Sequence, residues 1–337
     1  VKKLTVVGLV AGIVALVSFF SFWQWWRSNL RPVDLQNKKL VVVEIKKGMG
    51  LEAIAGELKE KGLIRNKKAF SLYLRYRGLA SSLKAGTYAL TKSMSLPEIV
   101  QTLVEGKSLT FKITIPEGYN VVKIAKLLAS YGYKEKKVLE LCKNPPSDFP
   151  YLKEIPDKVQ FKLEGYLFPA TYEISYNDNE DKIIEKMLKK FNTVVEKENL
   201  RGEAKKRGLT LHQLLTIASM IELEAKKMSE RPLIAGVIYN RLQKGMLLEL
   251  CPTVEYALGR HKLRLSAADL KIESPYNTYK YRGLPPGPIA SPGLSAIKAA
   301  LNPAKHDYLF YVARPDGYHA FSRTYQEHLK NVKKYLP

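Results

Sequence analysis

From Leu211 to Leu223 the chain reads LHQLLTIASMIEL, and wound as a helix this stretch shows apolar residues on nearly every side. A helix apolar all round is a buried helix, so the chain must build a domain around it. Thr210 and Gln213 stand three apart, the spacing of a reciprocal cap, which predicts a start near Leu211. Two carboxylates interrupt the pattern. Glu222 and Glu224 point to nearly opposite sides at about 100° per residue, and Glu222 continues the row Leu211, Leu215, Ala218, where another Leu would be expected. A carboxyl among apolar groups resists ionising and keeps a proton to donate near neutrality, which makes it a candidate general acid. The competing reading is an ion pair with Arg231 or Arg241 that only braces the helix.

Near the N-terminus, Leu4 to Trp26 carries no charge and is long enough to span a bilayer. Trp23, Trp25 and Trp26 close the run as an interfacial belt would. A cleaved signal peptide would have a shorter core and a small-residue cleavage site, where this chain has Trp-Trp-Arg. Residues 1–27 are therefore expected to be a short cytoplasmic tip and a single transmembrane anchor in the inner membrane, and 28–39 a tether. Basic residues flank both ends of the run, but a long translocated domain largely ignores that bias, so the bulk is expected outside, in the periplasm. The net charge of +23 favours anionic partners, among them lipid headgroups, acidic wall polymers and nucleic acid. An external domain disfavours nucleic acid. Two cysteines, Cys142 and Cys251, make no disulfide framework, and the five histidines show no metal-ligand spacing. No metal or cofactor is expected.

The front half is duplicated. Ile45, Gly48, Ile54, Ala55 and Leu58 match Ile115, Gly118, Ile124, Ala125 and Leu128, each displaced by 70 residues, and Thr87-Tyr88 recurs as Thr171-Tyr172. Two related strand-and-helix units explain this best. The expected fold is α+β, with small units at 40–108 and 109–200 and a larger mixed catalytic domain at 201–337. The first unit resembles a LysM module, a glycan-binding fold, through VEIKKGMGLEAIA; a plain spacer is the alternative.

Downstream the character turns motif-like. The Gly and Pro density from Gly283 to Gly293 specifies an irregular, rigid loop. Beside it Tyr276, Asn277, Tyr279 and Tyr281 offer flat apolar faces for pyranose rings with amide and hydroxyl donors. The other reading is a loop that closes a domain surface.

At this point the motifs LEGYLFPATY (163–172), ASMIELEA, NRL (240–242), PTVEYALG, SPYNTY, GLPPGPIASPG, ALNP, YLFYV and HAFS (319–322) converge. With the anchor and the LysM-like unit, they resemble the YceG-like endolytic murein transglycosylases. The resemblance implies cleavage of the MurNAc–GlcNAc bond within nascent peptidoglycan strands, leaving a 1,6-anhydro end, and it places the essential acid on Glu222. It implies peptidoglycan as partner, with wall synthases of elongation or division as further ones. Asn277, Tyr276, Tyr279, Gly287 and Ser291 are then expected around the sugars, with Glu224, Arg241 and Glu164 as supports. Two positions depart from the family: Cys251 and Ala170 stand where many members carry an acid. Two alternatives stay open: a muramidase, with Glu164 or Glu255 as second carboxylate, and a non-catalytic scaffold that recruits synthases.

Overall fold

The computed structural model describes residues 2–145, 149–176, 178–262 and 264–336, and of residues 2–11 only the helical course. Helices and short two-stranded sheets mix along the chain, the α+β class expected. It packs as two compact units, one of 1–112 with 173–178, the other of 113–172 with 179–337.

The first unit opens with α1 (Lys2–Leu30). Among the described residues no helix is long and apolar enough to cross a membrane. The side chains of 2–11, the first part of the expected anchor, lie outside the described residues. Those that follow are largely exposed, Leu16 at 70% and Phe19 at 68%. Next come β1 (Leu40–Ile45), α2 (Leu51–Glu60), α3 (Lys67–Tyr76) and β2 (Gly86–Thr91). The strands are antiparallel, with Ile45 opposite Gly86, and alternation sends Val43 and Ile45 inward. A capping box of Ser95 and Glu98, with Pro97 in the first turn, starts α4 (Leu96–Glu105). Ile54, Leu58, Leu74, Tyr88 and Leu103 form the core.

β3 (Thr110–Thr114) pairs with β4 (Thr171–Ser175), and between them lie α5 (Val121–Ser130) and α6 (Glu135–Lys143). This repeats the order β1–α2–α3–β2. Residues 70 apart do the same work: Ile45, Ile54, Ala55 and Leu58 are buried, and so are Ile115, Ile124, Ala125 and Leu128. Gly48 and Gly118 both turn the chain with positive φ, 83° and 75°, which glycine adopts without steric cost. Even the strand register recurs, since the Ile115 N–H donates to the Ala170 carbonyl where Ile45 stands opposite Gly86.

The second unit continues with α7 (Glu180–Lys197), α8 (Leu200–Lys206), α9 (Leu211–Glu224), α10 (Arg231–Gln243), α11 (Cys251–Leu258) and α12 (Leu294–Leu301). A hairpin of β5 (Phe310–Ala313) and β6 (His319–Ser322) and then α13 (Tyr325–Tyr335) end it. Helix α9 starts where the cap spacing predicts, with Thr210 and Gln213 bonded reciprocally. From Leu211 to Ile221 all but Gln213 are buried, against α8, α10, α11 and α12. Each Leu or Ile so covered stabilises the fold by roughly 1.5–3 kcal/mol, so this helix is the centre of the unit's core. Both cysteines are free, Cys142 buried and Cys251 exposed.

Candidate active site

Glu222 ends the buried run of α9 with its side chain only 6% exposed. Its Oε1 accepts from Arg231 Nη2 at 2.5 Å, and its Oε2 accepts from the Gly293 N–H at 2.9 Å. Gly293 is the N-cap of α12, where the backbone dipole favours negative charge. Arg231, the first residue of α10, is itself buried, and its Nε and Nη1 have no hydrogen-bond partner among the described residues. Its Nη2 also lies 3.6 Å from Glu117 Oε2, on a side chain that is half exposed. Burial raises the proton affinity of Glu222; the Gly293 N–H and Arg231 pull it down, and the Glu117 charge pushes it up again. The net direction is upward, with burial the largest cause.

The second part of the loop at 283–293 is buried, every residue from Gly287 to Gly293 being covered, while Gly283, Leu284 and Pro286 are half-buried. It runs along a polar stripe of α9. His212 Nε2 donates to the Pro286 carbonyl at 2.8 Å, the Ile289 N–H donates to Ser219 Oγ at 3.1 Å, and the Gly293 N–H reaches Glu222. Positions 212, 219 and 222 share one helix face by their spacing of seven and three. On the other side of this loop the turn before α5 is laced to it, with the Ser291 N–H donating to the Tyr119 carbonyl and the Gly118 N–H to the Ser291 carbonyl. A Cβ at Gly118 would stand 3.3 Å from Leu223 Cδ2 and 3.8 Å from Glu222 Cγ, so this turn is the wall facing the acid.

Glu164 fixes that wall from behind. Fully buried, it accepts from the Val121 N–H at 3.0 Å and from Tyr256 OH at 3.1 Å, and burial pushes its carboxyl up to about 8. Gly118 and Leu223 also line an open cleft of about 600 Å³, with Phe161, Tyr256 and Ile289 as its apolar surface and Lys123, Lys126 and Arg260 at its edge. A carboxyl of raised proton affinity, held by two fixed donors and adjacent in the chain to a residue lining such a cleft, has the chemistry for acid–base work on a ligand as large as a sugar.

A family model described as YceG-like matches residues 43–334. The chain belongs to the YceG-like family. It is 42% identical over 322 residues to a protein of Bacillus subtilis (strain 168) named endolytic murein transglycosylase, covering 92% of this chain and 89% of that one. A protein of Streptococcus pneumoniae serotype 2 with the same name is 35% identical over 345 residues, 93% of this chain and 62% of its own length. Among solved structures, a crystal structure of a YceG-like protein from Listeria monocytogenes is similar with a TM-score of 0.61 and 39% identity. That match covers 87% of this chain and 99% of that one.

In this YceG-like chain the remaining residues singled out from sequence fall into separate places. Asn277 is fully buried; its amide nitrogen donates to the Leu270 and Ile272 carbonyls and its oxygen accepts from the Tyr279 N–H. Those bonds spend both of its donors on shaping the loop. Tyr276 is buried against Tyr256, ring centroids 4.8 Å apart, and Tyr279 OH meets Cys251 Sγ at 3.2 Å. Gly287 packs on His212, where an added Cβ would come within 3.0 Å of Nε2. Ser291 lies in the loop that reaches Glu222, its Oγ buried without a hydrogen-bond partner among the described residues.

Arg241 serves elsewhere: it bonds Glu249 and the carbonyls of Leu247, Leu248 and Leu309, stacked over Phe310. Glu224 leaves α9 on the other side from Glu222, near Tyr311 and Glu255, and burial pushes it up to about 7. Glu255 is held by His261 and the Lys262 N–H. The carboxylate that shares Arg231 with Glu222 is Glu117, which belongs to none of the motifs above. The signal lay in the repeat, where residue 117 takes the place of Lys47.

Proposed function

We propose that this chain is an endolytic murein transglycosylase that cuts the MurNAc–GlcNAc bond of nascent peptidoglycan strands and leaves 1,6-anhydroMurNAc ends, thereby limiting strand length. The observation that carries the reading is Glu222, a carboxyl with its side chain 6% exposed and its proton affinity raised by burial, next in the chain to Leu223, which lines a sugar-sized cleft. The kinship with endolytic murein transglycosylases over nine-tenths of the chain supports it.

In the first step protonated Glu222 gives its proton to the glycosidic oxygen as the bond to C1 breaks with oxocarbenium character. In the second, the Glu222 carboxylate takes the proton of the C6 hydroxyl of the same sugar while that oxygen bonds to C1. The proton balance closes on one residue, and no water is consumed. Attack within one sugar also carries a high effective molarity. The Gly293 N–H and Arg231 hold the carboxylate between the two steps. Mass spectrometry of uncrosslinked strands incubated with the full chain tests this directly. Anhydro-ended fragments are expected; reducing-ended fragments would make it a muramidase, and intact strands carried down with the protein would favour a scaffold.

The exposed apolar face of α1, from Ile13 to Trp25, supports reading the N-terminal run as a membrane anchor that places the second unit at the site of wall growth. The full chain is expected to float with phosphatidylglycerol vesicles in 1 M salt, where surface charge is screened within about 3 Å, and a chain lacking 1–28 is not. Equal flotation of both would refute the anchor.

A further inference from the structure

The internal repeat diverges at one turn. In the first copy that turn carries Lys47, and Gly48 faces open space; in the second it carries Glu117, and Gly118 lies against Leu223 and Glu222. The Glu117 carboxylate folds over Gly293, where an added Cβ would come within 1.9 Å of its Oε1. It therefore occupies space that only a glycine at 293 leaves free. One guanidinium nitrogen of Arg231 then faces both carboxylates, Glu222 at 2.5 Å and Glu117 at 3.6 Å.

Two carboxylates against one guanidinium leave one surplus negative charge, which a single bound proton removes. That proton belongs on the group with less water. Glu117 is 50% exposed and Glu222 6%, so desolvation assigns it to Glu222. The other groups around α9 do not compete. Gly293 at the head of α12 offers only a backbone N–H; Lys298 of the same helix pairs with Glu198. Glu255 of α11 is held by His261, and Glu224 at the end of α9 looks toward Tyr311.

We propose that Glu117 is a positioning residue for the acid: by sharing the Arg231 guanidinium with Glu222 it weakens the hold of that cation on the Glu222 carboxylate. This rests on the reading of Glu222 as the acid. When Glu222 has given up its proton, Arg231 is free to favour the new carboxylate, and when the C6 hydroxyl returns the proton, Glu117 takes Arg231 back. Glu117 itself exchanges no proton with the sugar.

The test uses the full chain in detergent and follows kcat/KM for anhydro-end formation against pH. Glu117→Gln is expected to move the alkaline limb down by about one pH unit while sparing the acidic plateau, and Glu117→Asp to restore part of the shift. Arg231→Gln is expected to move the limb the opposite way. Gly293→Ala keeps every carboxylate but expels Glu117 from its place, and should reproduce the downward shift. A ¹³C titration of the Glu222 carboxyl, assigned with Glu222→Gln, must move in the same directions whether or not the chain turns over. If the native chain makes no anhydro ends, the enzymatic reading fails while this titration still decides the role of Glu117. An unshifted limb and an unshifted titration in a folded Glu117→Gln chain would overturn the inference and leave Glu117 a mere surface brace.

Discussion

Glu222→Gln is expected to lower anhydro-end formation by about 10²–10⁴-fold, the range a positioned proton donor supplies, while the chain stays folded and still binds strands. Glutamine keeps the size and one acceptor oxygen but has no proton to give. That oxygen can serve either Arg231 or the Gly293 N–H, now 2.5 and 2.9 Å from the two carboxylate oxygens. The amide NH₂ must then face the other donor. Such a mismatch in a buried place costs about 1–3 kcal/mol, so a modestly lowered Tm should accompany the loss. Glu222→Ala would be a poorer experiment, because it also removes the acceptor of Arg231 Nη2, whose Nε and Nη1 already have no partner among the described residues, and a buried donor left unsatisfied costs about 1–3 kcal/mol. A Glu222→Gln chain retaining more than about a tenth of the activity would fall outside that range and remove Glu222 from the role of acid.

The second large effect is on stability. Gly165 has φ of 83°, and a Cβ there would sit 2.6 Å from both Cβ and Cγ of Pro288. Alanine at this place carries the left-handed backbone cost of about 1–2 kcal/mol and an overpacking cost of about 1–3 kcal/mol. The proline ring cannot swing aside as a flexible side chain would, so Gly165→Ala should lower the Tm by roughly 10 °C, as a loss of about 3 kcal/mol does in a domain of this size. Gly208→Ala is the matched control: its φ is 71° but nothing lies within 4 Å, leaving the backbone cost alone. Because Pro288 belongs to the loop whose far end holds Glu222, Gly165→Ala should also cost activity. Equal melting of the two variants would mean that the loop yields to Pro288 at no cost.

How much of this was legible in the chain depends on the range of the interaction. The start of α9 and its burial were readable, from the Thr210–Gln213 cap and the all-round apolar pattern, because helix formation and burial are written in residues three or four apart; the end was not, since the apolar pattern runs on to Leu223, which is 36% exposed. The repeat was readable for the same reason, each copy carrying its own strand, positive-φ glycine and amphipathic helix. Asn277 shows where residue type misleads. An amide between tyrosines reads as a sugar donor, yet once buried its two N–H groups must find acceptors, and the nearest are the Leu270 and Ile272 carbonyls of its own loop. Arg231 and Arg241 were equal candidates in sequence, each on the helix after Glu222; only packing sent the first to the acid and the second to Glu249 and Phe310.

The sequence by itself determined which helix is buried, that a carboxyl interrupts its apolar row, that the front half is a repeat, and which family the motifs belong to. Local periodicity and composition suffice for these. Tertiary structure alone decided what surrounds that carboxyl: a turn from the second repeat, the first residue of α10 and the N-cap of α12, brought together from positions 117, 231 and 293. Proton affinity depends on burial and on charges within a few ångströms, and neither quantity exists until the chain closes around α9.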